Sequence, residues 1–187
     1  MADNEIVTLA DLGRAGMRLD RPSDEEGGWE SHLRLARQIL YVRDRMGQNR
    51  PLEGNRAQRE FERTRKQHNI VLKARQMGMS TWIAGRFFLR TITHPGTVTV
   101  QVAHTQEAAE MIFRIARRFL RCLPQHWREG ALSSARENAQ QIIFPALDSE
   151  YRVETAGDRN AGRGLTITHL HCSELARWPG EDRKSVV

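Results

Sequence analysis

Apolar positions in the first third of the chain recur at helical spacing. Between Trp29 and Gly47, residues Leu33, Leu35, Ala36, Ile39, Leu40 and Val42 fall on one stripe, which predicts an amphipathic helix over 29–47 closed by Gly47. Residues 1–28 are mixed and polar and end in "DRPSDEEGG". They read as a flexible arm and linker, with a short helix around Leu9 to Leu12. "NRPLEGN" is a loop, and Asn55 is placed to cap a second helix over 56–67, rich in Arg and Glu.

The pattern then changes. "NIVLKAR" (69–75) is a short apolar run between polar residues and predicts a buried strand. "MSTWIAGRFFLRTI" is helical in pattern and is broken by "THPG". "TVTVQVAH" (97–104) is β-branched and predicts a second strand. In "TQEAAEMIFRIARRFLRCL", Thr105 is a suitable N-cap, and Ala109, Ile112, Phe113, Ala116, Phe119 and Leu120 form one apolar face. "PQHWREGALSSARENA" reads as a loop. "QQIIFPA" and "SEYRVETAG" read as a hairpin, "GDRNAGRG" as a Gly- and Arg-rich loop, and "LTITHLHCSE" (165–174) as a last strand. Alternating strands and helices predict an α/β fold with a largely parallel sheet flanked by helices. There is no internal repeat or low-complexity tract.

The 187 residues suffice for one core. The net charge of +6 favours polyanion partners such as nucleic acid or nucleotide phosphate. Almost all of the positive charge is arginine, so the lysines at Lys66, Lys73 and Lys184 stand out. Cys122 and Cys172 do not make a disulfide framework. "MADNEIVTLADLG" lacks the apolar core of a signal peptide, and no apolar run is long enough to span a bilayer. The expected setting is a reducing cytoplasm with no membrane partner.

"KARQMGMST" (73–81) lies between the predicted strand and a helix, and half fills the phosphate-loop pattern G-x-x-x-x-G-K-[ST]. Gly78 and Ser80 fall on the second Gly and the hydroxyl. Met79 stands where the lysine belongs, and Lys73 stands where the first Gly belongs. A tight turn before a helix N-terminus is an anion site, because the first N–H groups lack internal partners. Gly78 permits close approach of the backbone to phosphate oxygens. Ser80 can offer its hydroxyl to Mg²⁺. Lys73, or in competition Arg75, can reach the same phosphates from the start of the loop. The plain alternative is a strand–helix turn that happens to contain a glycine.

A nucleotide hydrolase also needs an acid at the end of a neighbouring strand. "THLHCSELARWP" offers one. His169, His171 and Ser173 share one strand face, and Leu170 and Cys172 the other. Ser173 stands where an Asp is usual, so it holds Mg²⁺ only weakly, through a water, while Glu174 keeps the catalytic position. A zinc reading of "HLHC" lacks a second ligand pair.

Taken together, these pieces resemble the ATPase domain of the large terminase subunit, the DNA-packaging motor of tailed double-stranded DNA bacteriophages. "KARQMGMST" resembles the family's variant Walker A loop, and "HLHCSELARWP" its Walker B strand. "VTVQVAHTQEAAEMIF" resembles the helicase-like coupling segment. "PLEGNRAQREF" resembles the adenine-recognition segment, and "AGRGLT" the Arg-Gly before Walker B. The likeness runs from about Pro51 to Pro179. It implies a P-loop NTPase of helicase or RecA-like type over 51–187, after an arm (1–28) and a helical segment (29–50).

By the same resemblance, Lys73 contacts the phosphates and acts in catalysis. Arg75, Gln76, Met77, Gly78, Met79, Ser80 and Thr81 line the nucleotide, the residues from Gln76 on through their N–H groups. Gln58 sits at the base edge, Ser80 and Ser173 hold Mg²⁺, and Glu174 is the base. An arginine finger is expected, with Arg136, Arg159 and Arg163 as candidates. The implied activity is ATP-driven translocation of double-stranded DNA into a procapsid, in the bacterial host cytoplasm. A portal, a small terminase subunit and a homo-oligomeric ring are the implied partners. The family continues past this point with a further strand and a nuclease domain. The chain is therefore expected to be a truncated ATPase, incomplete at its C-terminus, that binds ATP weakly and cannot cut DNA. The Walker A and Walker B strands would then pair directly or leave a gap. Two alternatives remain: another helicase-like DNA-dependent ATPase, or a non-catalytic DNA-binding remnant.

Overall fold

The first helix stops well before Gly47. In the computed structural model, α1 spans Gly28–Ile39, and a β-hairpin follows, β1 (Tyr41–Arg43) with β2 (Asn49–Pro51). Turn chemistry overrides the helical stripe here. The Asp44 carboxylate accepts from the N–H groups of Met46 (2.8 Å) and Gln48 (2.9 Å), and Gly47 adopts a left-handed φ of 79°. The structure describes residues 28–130, 132–133, 135–158 and 161–178. The arm with its expected helix, Arg159 and residues 179–187 lie outside the described residues.

The second helix, α2 (Arg56–Thr64), has the expected cap. The Asn55 side chain accepts from Gln58 N–H at 3.0 Å, and Gln58 Oε1 accepts from Asn55 N–H at 2.8 Å. After it the sequence reading fails. Residues 69–75 form no strand, and Ile70 and Leu72 stand fully exposed. An apolar run becomes a strand only where a ladder partner exists. Among the described residues none pairs with it, so residues 69–75 and the last strand, His169–Cys172, do not form the direct pair expected of them, and that strand pairs instead with Val98–Ala103.

Helix α3 (Met79–Thr93) carries the core. Phe88 is fully buried, with ring centroids 5.7 Å from Phe119, 6.3 Å from Phe144 and 6.1 Å from Tyr151. A Cβ on Gly85 would stand 2.6 Å from Leu52 Cδ2, so glycine lets the hairpin's end close onto α3. Strand β3 (Val98–Ala103) leads into α4 (Gln106–Cys122), which Thr105 caps by accepting from Ala108 N–H at 3.2 Å. Ala109, Ile112, Phe113, Ala116 and Phe119 are buried, as the helical period predicts. The expected loop after it contains a short helix, α5 (Gln125–Glu129), and β4 (Arg136–Glu137).

The expected hairpin forms as β5 (Gln141–Phe144) and β6 (Ser149–Thr155), and the last strand is β7 (His169–Cys172). The sheet order is β4-β5-β6-β3-β7. β3 runs parallel to β6 and β7, while β4, β5 and β6 pair antiparallel. The sheet is therefore mixed, not largely parallel, because the β5–β6 hairpin joins it at one side. The fold is α/β, a five-stranded mixed sheet flanked by helices. Val100 and Val102 face away from α3 and pack with Ala156 and Trp178. No helix among the described residues is long and apolar enough to cross a membrane.

Candidate functional site

Two tight corners define the site, one at the start of α3 and one at the end of β7. Three described non-glycine residues have positive φ, and two of them sit at these corners: Gln76 (61°) and Glu174 (54°). Left-handed backbone costs such residues about 1–2 kcal/mol. That cost persists only where surroundings enforce it, and it concentrates at functional positions.

At the first corner, Gly78 is left-handed (φ 70°), and no side chain caps α3. The loop is held from α2. Gln58 Nε2 donates to the Gly78 carbonyl at 3.0 Å and lies 3.4 Å from that of Met77, which also accepts from Asn55 Nδ2 at 3.0 Å. The Gln58 amide is thereby engaged at both ends, its Oε1 in the cap and its Nε2 on the loop. The resemblance placed Gln58 at a base edge; here it braces the phosphate-loop candidate, because the capping box turns its side chain inward.

Met79, at the usual lysine position, is buried and anchors the helix start, so it can offer only its backbone. Ser80 and Thr81 are half-buried, Met77 is half-buried, and Lys73, Arg75 and Gln76 are exposed. A groove of about 500 Å³ runs between α2 and residues 68–73, lined by Phe61, Thr64, His68, Leu72, Lys73 and Met79 among others. Its size is that of a small-molecule site.

At the second corner, Ser173 N–H donates to the Val102 carbonyl at 2.8 Å and extends the β3–β7 ladder by one step. Trp178 is buried, and its indole N–H donates to the Ser173 carbonyl at 3.0 Å, pinning the bend. Glu174 is exposed, 3.3 Å from Arg177 and 3.5 Å from His104. His104 was not singled out in the sequence. Its signal was the register, since β3 and β7 pair with an offset that brings 104 opposite 174.

The two corners are linked through α3. Phe87 stacks on His169 (5.3 Å) and meets His171 edge-on (6.4 Å), so these histidines pack against α3 as their shared strand face predicts. Burial, then the charge of Arg90, holds His169 down at about 4, and Arg90 Nε donates to its Nε2 at 3.2 Å. His171 is also pushed down to about 4, first by burial and then by the charge of Lys73. Lys73 therefore stands within electrostatic reach of β7, two residues before Ser173.

A nucleotide and its metal can be tested against these residues. The Met77 and Gly78 carbonyls are turned toward α2, where Gln58 Nε2 meets them, and a Cβ on Gly78 would stand 2.9 Å from that nitrogen. Mg²⁺ fits less well. No group of three or more His, Cys, Asp or Glu side chains among the described residues could hold a metal ion. Ser80 and Ser173 supply only neutral hydroxyls, which are weak ligands for Mg²⁺. Of the arginine candidates, Arg136 lies in β4, at the opposite sheet edge from β7. Four strand spacings, about 19 Å, separate them, too far for one side chain within the chain. Arg163 lies in the turn before β7.

No family model matches the sequence, and no curated protein matches it.

Proposed function

We propose that the chain is a nucleotide-binding ATPase unit of the DNA-packaging type, with a variant phosphate loop at Lys73–Thr81 and Glu174 as the base. The observation that carries this reading is the Gly78 corner: a left-handed glycine at an uncapped helix start, braced from behind by Gln58. In this reading the N–H groups of Gln76 to Thr81 and the Lys73 ammonium hold the phosphates. The Ser80 hydroxyl takes a place in the shell of the metal that the nucleotide carries, and Ser173 adds a weaker contact through water. ATP supplies the driving chemistry when bound. Glu174 orients the attacking water and accepts its proton. The Lys73 side chain and helix dipole favour the charge that develops on the phosphate oxygens. Arg136 can act as a finger only from a neighbouring copy, which accords with a ring. Double-stranded DNA is the cargo this reading assigns, and the net charge of +6 suits it.

Steady-state hydrolysis of Mg·ATP by the parent and by Glu174→Gln tests the proposal. A parent rate that falls about 10²-fold or more in the variant supports it. Equal rates in both contradict it.

One observation favours a second reading. The segment before the loop lies outside the sheet with Ile70 and Leu72 exposed, so the loop lacks the strand that usually supports it. A non-catalytic DNA-binding chain would bind duplex DNA with steep salt dependence and show no response to ATP.

A further inference from the structure

Parallel pairing of β3 and β7 sets Thr99 opposite His169 and Val102 opposite Cys172. Carried two residues on, the same register sets His104 opposite Glu174. Their side chains meet: His104 Nδ1 lies 3.5 Å from Glu174 Oε2. That nitrogen is buried and makes no hydrogen bond. The other acid near His104, Glu107, is held at the start of α4 by its own N–H and the Thr105 hydroxyl, and both hold its carboxyl below the usual range. Arg177 approaches the same Glu174 oxygen from the solvent side, half exposed. An exposed pair of that kind contributes little and is easily given up.

We infer that His104 is a positioning residue for Glu174: its Nδ1–H donates to Oε2 and aims Oε1 at the water to be activated. The inference rests on the ATPase reading proposed above and adds a residue to it. A buried donor with no partner gains a charge-assisted hydrogen bond from a small side-chain rotation of Glu174, which is exposed enough to make it. The same bond fixes the imidazole tautomer, since a ring nitrogen facing a carboxylate keeps the proton. His104 also joins β3 to α4, so the acid's aim is tied to the position of that helix.

Two measurements test this. The first is the ¹⁵N chemical shifts of the His104 ring in the full chain, with the imidazole neutral. The expected result is the Nδ1–H tautomer in the parent and reversion to Nε2–H in Glu174→Ala. Nε2–H in both overturns the pairing. The second is hydrolysis kinetics with His104→Ala, His104→Asn and His104→Gln. Asn places an amide N–H near the Nδ1 position, and Gln places one near Nε2. The Ala and Gln variants are expected to lose about tenfold or more in kcat with KM for ATP changed less than about twofold, and Asn to recover most of kcat. Hydrolysis that needs Glu174 but is unchanged in His104→Ala overturns the inference and leaves the ATPase reading standing. A parent that neither binds nor hydrolyses ATP overturns the reading beneath it, whichever tautomer is found.

Discussion

Gln58 Nε2 donates to the Gly78 carbonyl at 3.0 Å and would stand 2.9 Å from any Cβ placed on Gly78. One side chain both holds the loop and occupies the space that a larger residue there would need. The glycine is required twice over, by its φ of 70° and by this contact.

Gly78→Ala is therefore expected to cost about 1–2 kcal/mol for the left-handed backbone, and more where Gln58 is displaced. Urea unfolding measures the loss. A variant of parental stability would mean that the brace is slack.

The buried charge of Glu62 ties three helices together. Its carboxylate is fully buried, pairs with Arg86, accepts from the Trp82 indole N–H at 2.8 Å and from Arg65 Nε at 3.1 Å, and lies 3.9 Å from His32 Nε2. Glu62→Ala leaves the Arg86 charge buried and uncompensated, and should destabilise by about 3–5 kcal/mol. The double change Glu62→Leu with Arg86→Met should cost less than Glu62→Ala alone. Denaturant midpoints of the two variants decide it, and a loss in the double variant as large as or larger than that in Glu62→Ala would contradict the network.

Ile70 and Leu72 give a test of the unpaired segment. Because both are fully exposed, Ile70→Ser with Leu72→Ser should change stability by less than about 0.5 kcal/mol each. In a buried strand the same changes would cost about 2–5 kcal/mol each, as for deletion of other core side chains. Thermal melting separates the two outcomes.

Acid should weaken the fold before its carboxylates titrate. His32 is held well below its ordinary 6.5 by burial and by the charges of Arg86 and Arg65, and His169 is held at about 4. The folded state keeps both neutral while the unfolded chain takes up protons below 6.5. Their contribution is full above about pH 7 and is lost as pH falls from 6.5 toward 4. The slope is about 1.4 kcal/mol per pH unit for each histidine. The paired carboxylates Asp44 and Glu137 are held below 3.8 and 4.5, so their stabilisation is lost mainly below about pH 5, and the decline between about pH 7 and 5 belongs chiefly to the histidines. Urea unfolding at pH 7, 6 and 5 should show the decline, and His169→Asn should reduce its slope. A flat profile would contradict the burial of these rings.

What the sequence disclosed followed from strong local signals. Thr105 and the apolar period of α4, the Asn55–Gln58 cap and the β5–β6 hairpin each carry their own chemistry, and each is found in place. What it hid depended on neighbours. The run from Asn69 to Arg75 advertises a wish for burial, but periodicity cannot say whether a partner strand is there. Asp44 and Gly47 lay inside an apparent helical stripe, and their turn chemistry won. Glu62 and Arg86 could not be paired from the sequence, because nothing local reveals that Trp82 and Arg86 meet the Glu62 carboxylate in the interior. His104 gained meaning only once the β3–β7 register set it against Glu174.

The most direct measurement is the Mg·ATP-dependent rise in melting temperature of the chain, compared with Lys73→Ala. A ligand that binds only the folded state at 100 times its Kd stabilises by about 2.7 kcal/mol. For a chain of this size that is a rise of about 5–10 °C. The account predicts that rise in the parent and its loss in Lys73→Ala. A cooperative melt that Mg·ATP leaves unmoved would contradict the nucleotide site.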